Sequence, residues 1–142
     1  MFEETVYPEL RIRSMDGGPN LRLHKDFRDS TAFFWAELDS PAMSCRVRVH
    51  AAEDNSGIAS FFEALVESWP NQRGVRSWSS LAGELRVECE SGESERMAIT
   101  ITISEVSGHT WRVRALIACS ISDLKSIATA ARWFESGLGG TA

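Results

Sequence analysis

The segment MSCRVRVH, residues 43–50, alternates charged and apolar side chains. In a strand, whose side chains alternate between two faces, Arg46 and Arg48 lie on one face together with His50. Arg112 and Arg114 of the segment WRVRA share the same outward parity. A sheet face that carries these four arginines is a candidate site for an anionic small molecule. The alternative is ion pairing with carboxylates of neighbouring strands, because opposite charges across an antiparallel sheet stabilise it modestly.

The histidines do not have the spacing of a metal site. His24, His50 and His109 fall on separate predicted elements, and none has a cysteine or histidine partner at zinc-finger spacing. The glycine-rich segments DGGPN and GLGG do not open a helix, as phosphate-binding loops do. We therefore predict that the protein is not an enzyme, and we expect no catalytic residue, no metal and no cofactor.

Two surfaces remain as candidate contacts with a protein partner. A predicted hairpin carries carboxylates that could face a basic surface and accelerate association. These carboxylates are Glu88, Glu90, Glu93 and Glu95. The alternative is a solvated strand edge that resists aggregation.

The second surface is centred on a tryptophan of the last predicted helix. Trp133 lies nine residues after Leu124, and this spacing turns it away from the apolar row that begins at Leu124. Tryptophan is enriched among the anchor residues of protein interfaces, so Trp133 is a candidate anchor. The alternative is packing of the ring against a loop.

The composition indicates one folded, acidic domain. The chain has 142 residues, of which 43% are hydrophobic, and this excludes a disordered chain. Its formal net charge of −5 disfavours nucleic acid and anionic lipid as partners and favours a basic partner. The odd number of cysteines, Cys45, Cys89 and Cys119, fits a reducing, cytoplasmic setting. The N-terminus MFEETVYPEL is acidic where a secretory signal is basic, and no apolar run is long enough to span a membrane.

The first half of the chain predicts a four-stranded meander and a helix. Two hairpins have their turns at MDGGPN and DSPA, each flanked by alternating apolar residues. Over residues 58–69 the apolar side chains recur at helical spacing. Asn55 or Ser56 precedes this helix as its cap.

The second half predicts three strands and another helix. ELRVECE and MAITITIS form a hairpin, and WRVRALIAC follows as a third strand. The segment NQRGVRSWSS before them is predicted to be an irregular connection whose tryptophan covers the core. The last helix begins near residue 122 and ends at residue 137, where a glycine can adopt the left-handed backbone conformation that often ends a helix.

The order ββββ-α-βββ-α lacks the strand–helix alternation of a parallel sheet. We therefore expect an α+β fold, with a single antiparallel β-sheet of about six to seven strands and two helices packed on one face. Residues 1–142 form a single domain, with a folded core at about 9–136 and a flexible tail at 137–142.

Several segments carry a resemblance to known proteins. LRIRSMDGGPNLRL, GIASFFEALVESW and WRVRALIACSISDLKSIATAARWF resemble a family of small bacterial proteins that form a domain of unknown function. A helix of the form GIxxFFxxL, then a loop tryptophan and a strand of the form GELxxE, are also similar in order to the WapI-like immunity proteins of bacterial polymorphic toxin systems. The similarity runs from about Leu10 to Phe134.

This resemblance implies a cytoplasmic immunity protein that binds and neutralises a cognate toxin domain, without catalysis or cofactor. No set of toxin-contacting residues carries over from the family. We expect the four hairpin carboxylates and Trp133 to contact a basic toxin surface. The alternative function is a domain that binds a small anionic ligand or assembles with itself, and a homodimer is left open.

Overall fold

The computed structural model describes residues 8–25, 33–50, 57–69, 74–92, 95–105 and 111–138. These residues form eight strands and two helices in the order ββββαββββα. The chain therefore consists of two successive units, each with four antiparallel strands followed by a helix. The tail was proposed at 137–142, but helix α2 includes residues 137 and 138. Residues 139–142 and the first seven residues lie outside the described part.

The first sheet contains strands β1 to β4 in sequence order. The strands are β1 (Glu9–Ile12), β2 (Asn20–Lys25), β3 (Phe33–Asp39) and β4 (Ser44–His50). Both predicted hairpins are confirmed: in the first, Leu10 pairs with Leu23 and Ile12 pairs with Leu21. All four of these leucine and isoleucine side chains are buried, because strand alternation places them on the inner face.

The second sheet contains the remaining four strands, also antiparallel and in sequence order. They are β5 (Val75–Ser79), β6 (Leu85–Ser91), β7 (Arg96–Ser104) and β8 (Arg112–Ser120). The predicted β6–β7 hairpin is confirmed, with Val87 opposite Ile101 and both side chains buried. Strand β8 continues the predicted parity, because Ile117 and Cys119 are buried on the same inner face.

The prediction of a single sheet with six to seven strands was wrong. Strand β5 lies in the segment predicted to be an irregular connection, and it pairs with β6 through Trp78 opposite Val87. Its residues are mostly exposed, since it is an edge strand, so no apolar alternation marks it in the sequence. The pattern of alternation tells which face each strand buries, but it does not tell that β4 and β5 belong to different sheets.

The two helices pack against each other and cover the core. Helix α1 (Ile58–Ser68) and helix α2 (Leu124–Leu138) are in extensive contact, and α2 also packs on β1 and β2. A 3₁₀ turn at Ile121–Asp123 leads into α2. Phe134 of α2 meets Phe34 of β3 edge-to-face, with ring centroids 5.3 Å apart. Helix α2 extends one residue beyond the predicted stop at Gly137.

The cap of α1 comes from the other helix. The N-cap residue is Gly57, with φ 74°, which has no side chain of its own to cap the helix. Instead, the Glu135 carboxylate of α2 accepts hydrogen bonds from the backbone N–H groups of Gly57 at 3.2 Å and Ala59 at 2.8 Å. The predicted caps, Asn55 and Ser56, lie outside the described residues. A carboxylate at this position satisfies free N–H donors and opposes the positive end of the helix dipole.

Two further contacts fix the sheets to each other. The Glu84 carboxylate in the β5–β6 loop is buried, and it accepts hydrogen bonds from the His50 backbone N–H at 2.9 Å and from the Ser80 hydroxyl at 2.7 Å. The Met15 N–H in the β1–β2 turn donates to the Ala118 carbonyl of β8 at 2.8 Å. These hydrogen bonds connect the first sheet to the second.

Candidate functional site

The outer face of the first sheet carries a row of charged side chains that crosses all four strands. Arg11 of β1 is opposite Arg22 of β2, which is opposite Glu37 of β3, and Glu37 is opposite Arg46 of β4. Because facing residues of an antiparallel pair lie about 5 Å apart, each charge in this row is close enough to attract or repel its neighbour. The row places two arginines side by side at one end.

Glu9 offsets the repulsion between these two arginines. Its carboxylate accepts from Arg11 Nε at 2.6 Å through one oxygen and from Arg22 Nε at 2.8 Å through the other. Burial raises the pKa of Glu9, but the hydrogen bonds from Arg22 and Arg11 outweigh it and hold the pKa below its usual value. The hydrogen bond to Glu9 in turn raises the pKa of Arg22.

Glu37 is the central carboxylate of the face. One of its oxygens lies 3.3 Å from Arg22 Nη1 and 3.2 Å from His24 Nε2, and the other lies 4.0 Å from Arg46 Nη1. Arg46 is thus only loosely paired, and its side chain is 63% exposed. A guanidinium held in this way retains N–H donors that can bind a ligand.

Aromatic rings on β3 support the two arginines of β4. The Arg46 guanidinium lies over the Trp35 ring at 4.7 Å from its centroid, and the Arg48 guanidinium lies over Phe33 at 4.1 Å. Such stacking fixes the direction of a guanidinium through attraction to the ring face. The arginines of MSCRVRVH therefore project from an ordered surface.

A depression of about 860 Å³ lies on this face of the first sheet. Arg11, Arg13, Arg22 and Arg46 line it, together with carboxylates of β3 and polar residues at the strand ends. Its size falls within the range of about 300–1,000 Å³ typical of small-ligand sites. It is open to solvent along the strand ends rather than enclosed.

The predicted group of four sheet-face arginines is not brought together. Arg46 and Arg48 lie on the first sheet, whereas Arg112 and Arg114 lie on the outer face of β8 in the second sheet. The prediction failed at this point because it assumed one continuous sheet. The structure instead groups Arg46 with arginines of β1 and β2.

The predicted acidic hairpin is only partly exposed. Glu88 is half-buried and lies 2.9 Å from Arg86 Nε, so its charge is already paired. Glu90 and Glu95 are exposed, and Glu93 lies outside the described residues. Glu95 has a positive φ of 62°, and its backbone carbonyl accepts a hydrogen bond from the Ile121 N–H at 2.8 Å. This hydrogen bond joins the β6–β7 turn to the 3₁₀ turn that leads into α2.

Trp133 is exposed, as the helical spacing predicts. Its side chain is 44% accessible, and it borders a shallow depression of about 450 Å³ between α2 and the edge strand β1. Glu9, Arg11 and Asp123 line the same depression. The acidic hairpin contacts the chain just before α2, whereas Trp133 lies about 14 Å further along the helix axis. The tryptophan and the acidic hairpin are therefore separate surfaces.

The described residues contain no group of three or more histidine, cysteine or carboxylate side chains placed to hold a metal ion. Burial, with a smaller effect of the nearby Cys119, raises the pKa of Cys89 to about 12. Burial also raises the pKa of Cys119 to about 11, with smaller effects from Asp123 and Asp16. These thiols are protonated at neutral pH and are poor nucleophiles. Within the described part of the chain, no helix is both long and apolar enough to cross a membrane.

Residues 12–137 match the family model of DUF6228, a family of unknown function. The chain belongs to the DUF6228 family. This confirms the resemblance to a domain of unknown function, whereas the relation to WapI-like immunity proteins stays a prediction. No curated protein gives a significant sequence match.

The fold is similar to that of a solved MRP1/MRP2 structure from Trypanosoma bruciei. The TM-score is 0.51, the sequence identity is 9%, and the alignment covers 94% of this chain and 88% of that chain. At this identity the similarity concerns the fold alone. It nevertheless extends over both ββββα units.

Sequence reasoning missed several residues of the charged face. Arg11, Arg22 and Glu37 were not proposed as site residues, although each lies at the outward parity of its predicted strand. That parity was the available signal. Arg13 has the same parity as Arg11, although it follows the end of β1, and it also lines the depression.

Proposed function

We propose that the protein is a non-enzymatic protein-binding module whose contact surface centres on Trp133. The observation that carries this proposal is the position of the ring, which is 44% exposed on α2 and lies off the buried apolar row of that helix. Large, partly exposed aromatic residues bordered by polar side chains are frequent anchors of protein interfaces.

The surroundings of Trp133 have the composition of an interface. Ala130 and the largely buried Ile127 line the depression beside the ring, and Glu9, Arg11 and Asp123 form a charged rim. An apolar centre with a polar rim excludes water around the anchor when a partner binds. The rim contains both signs of charge, so it favours a partner with a matching charge pattern.

We further propose that the partner is a toxin domain and that this protein is its immunity protein, located in the cytoplasm. The resemblance in the order of the helix, the tryptophan and the GELxxE strand supports this role. Glu90 and Glu95 are exposed and would attract a basic toxin surface during the approach, while Trp133 would hold the complex together.

The test is binding to toxin domains encoded beside genes of this family, measured by surface plasmon resonance and by rescue of growth on co-expression. The variant Trp133→Ala should weaken binding by about 30-fold or more, the loss typical of an interface anchor. Leu81→Ala is the matched control, because Leu81 is also exposed, at 66%, but lies in the β5–β6 loop. Equal affinities of the wild-type and Trp133→Ala proteins would refute the Trp133 surface. Failure of every tested toxin domain to bind would refute the immunity role.

A further inference from the structure

The outer face of the first sheet has the opposite sign of charge from the chain as a whole. The chain has a formal net charge of −5. Among the residues that the structure describes, five arginines nevertheless lie on or beside this face, against three carboxylates, Glu9, Glu37 and Asp39. The arginines are Arg11, Arg13, Arg22, Arg46 and Arg48. An excess of positive charge on one concave face of an acidic protein concentrates anions at that face.

The arginines that line the depression are not all neutralised. Arg13 has no ion pair with any of the residues that the structure describes, and Arg46 has only the 4.0 Å contact with Glu37. Arg11 and Arg22 share the single carboxylate of Glu9, and Arg22 reaches Glu37 only at 3.3 Å. Like charges directly opposite each other on two strands destabilise a sheet. A bound anion would relieve this repulsion.

The geometry points to a binding site for a small multivalent anion with phosphate or carboxylate groups. The guanidinium fork matches both groups, because it can donate two parallel hydrogen bonds to their oxygens. The charges extend from β1 to β4, three strand spacings or about 14 Å. A single anionic group cannot bridge that distance, whereas a molecule with two or more such groups can contact several arginines at once.

This inference goes beyond the proposed protein contact, because it concerns a different depression and a different kind of ligand. The depression lies on the outer face of the first sheet, and Trp133 does not line it. The helix that carries Trp133, α2, packs on the inner side of β1 and β2. Arg11 and Arg13 border both depressions. The variants chosen below therefore include Arg46, which belongs to this face alone.

The experiment is isothermal titration calorimetry of the full chain with pyrophosphate and, separately, with citrate, each at constant ionic strength. We expect at least one of the two to bind. The double variant Arg13→Gln/Arg46→Gln should weaken that binding at least about tenfold, because it removes two charge-assisted contacts. The control Arg112→Gln/Arg114→Gln removes the same charge from exposed positions of the second sheet and should bind as the wild type does.

Two results would overturn the inference. In the first, neither pyrophosphate nor citrate binds the wild-type protein at millimolar concentration. In the second, both double variants weaken binding equally, which would show a general effect of net charge rather than a site. Circular dichroism of each variant confirms that it is folded, and the single variant Arg46→Gln repeats the test at the arginine that lines this depression alone.

Discussion

Replacing Glu135 by alanine should destabilise the protein from the junction of its two helices. The Glu135 carboxylate accepts from two N–H groups at the start of α1, at 2.8 Å and 3.2 Å, and its side chain is only 12% exposed. Loss of a helix cap costs about 0.5–2 kcal/mol, and a hydrogen bond to a charged group contributes about 1.5–3 kcal/mol. Since one of the two bonds is long, we expect Glu135→Ala to lower the free energy of unfolding by about 2 kcal/mol.

Urea denaturation followed by tryptophan fluorescence measures this change. For a chain of this size, about 2 kcal/mol corresponds to a fall in Tm of about 6 °C. Glu135→Gln keeps one acceptor oxygen but loses the charge, so it should lose about half as much stability. Glu67→Ala is the matched control, because Glu67 is exposed on α1, and its effect should stay within about 0.5 kcal/mol.

Hydrogen exchange provides a local readout of the same contact. The Ala59 amide donates to Glu135, so it should exchange faster in Glu135→Ala than in the wild type. A Glu135→Ala protein with the stability of the wild type and an unchanged exchange rate at Ala59 would refute the capping role.

Two further predictions concern titratable groups. The folded-state pKa of Glu9 is below its usual value of 4.5, so the stability that Glu9 contributes is present above that pH and is lost as the pH falls through the folded-state pKa. Glu9→Gln should therefore lower the free energy of unfolding by about 0.5 kcal/mol at pH 7 and leave it unchanged at strongly acidic pH. Urea denaturation at both pH values measures this, and a difference between variant and wild type that persists in acid would contradict the role of Glu9. Cys89 and Cys119, with pKa values of about 12 and about 11, should resist thiol reagents at pH 8 until the protein unfolds. Mass spectrometry would detect labelling of the native protein, which would contradict that expectation.

Local pattern was sufficient for most individual elements. The alternation in ELRVECE and MAITITIS predicts a hairpin, and its inward side chains are buried as expected. The helical spacing from Leu124 onward predicts both the buried row of α2 and the exposure of Trp133. These features follow from the period of the backbone, which each segment carries in its own sequence.

The sequence by itself therefore determined both helices, every strand except the edge strand β5, and which side of each of these elements faces the core. Only the tertiary structure decided that the strands divide into two sheets and that Arg46 joins Arg11 and Arg22 instead of Arg112 and Arg114. It also decided that Glu135 caps α1 through Ala59, which lies 76 residues earlier in the chain. The physical reason is that strand pairing and charge contacts depend on which segments meet in space. A two-residue alternation fixes the face of a strand, but it does not fix the neighbour.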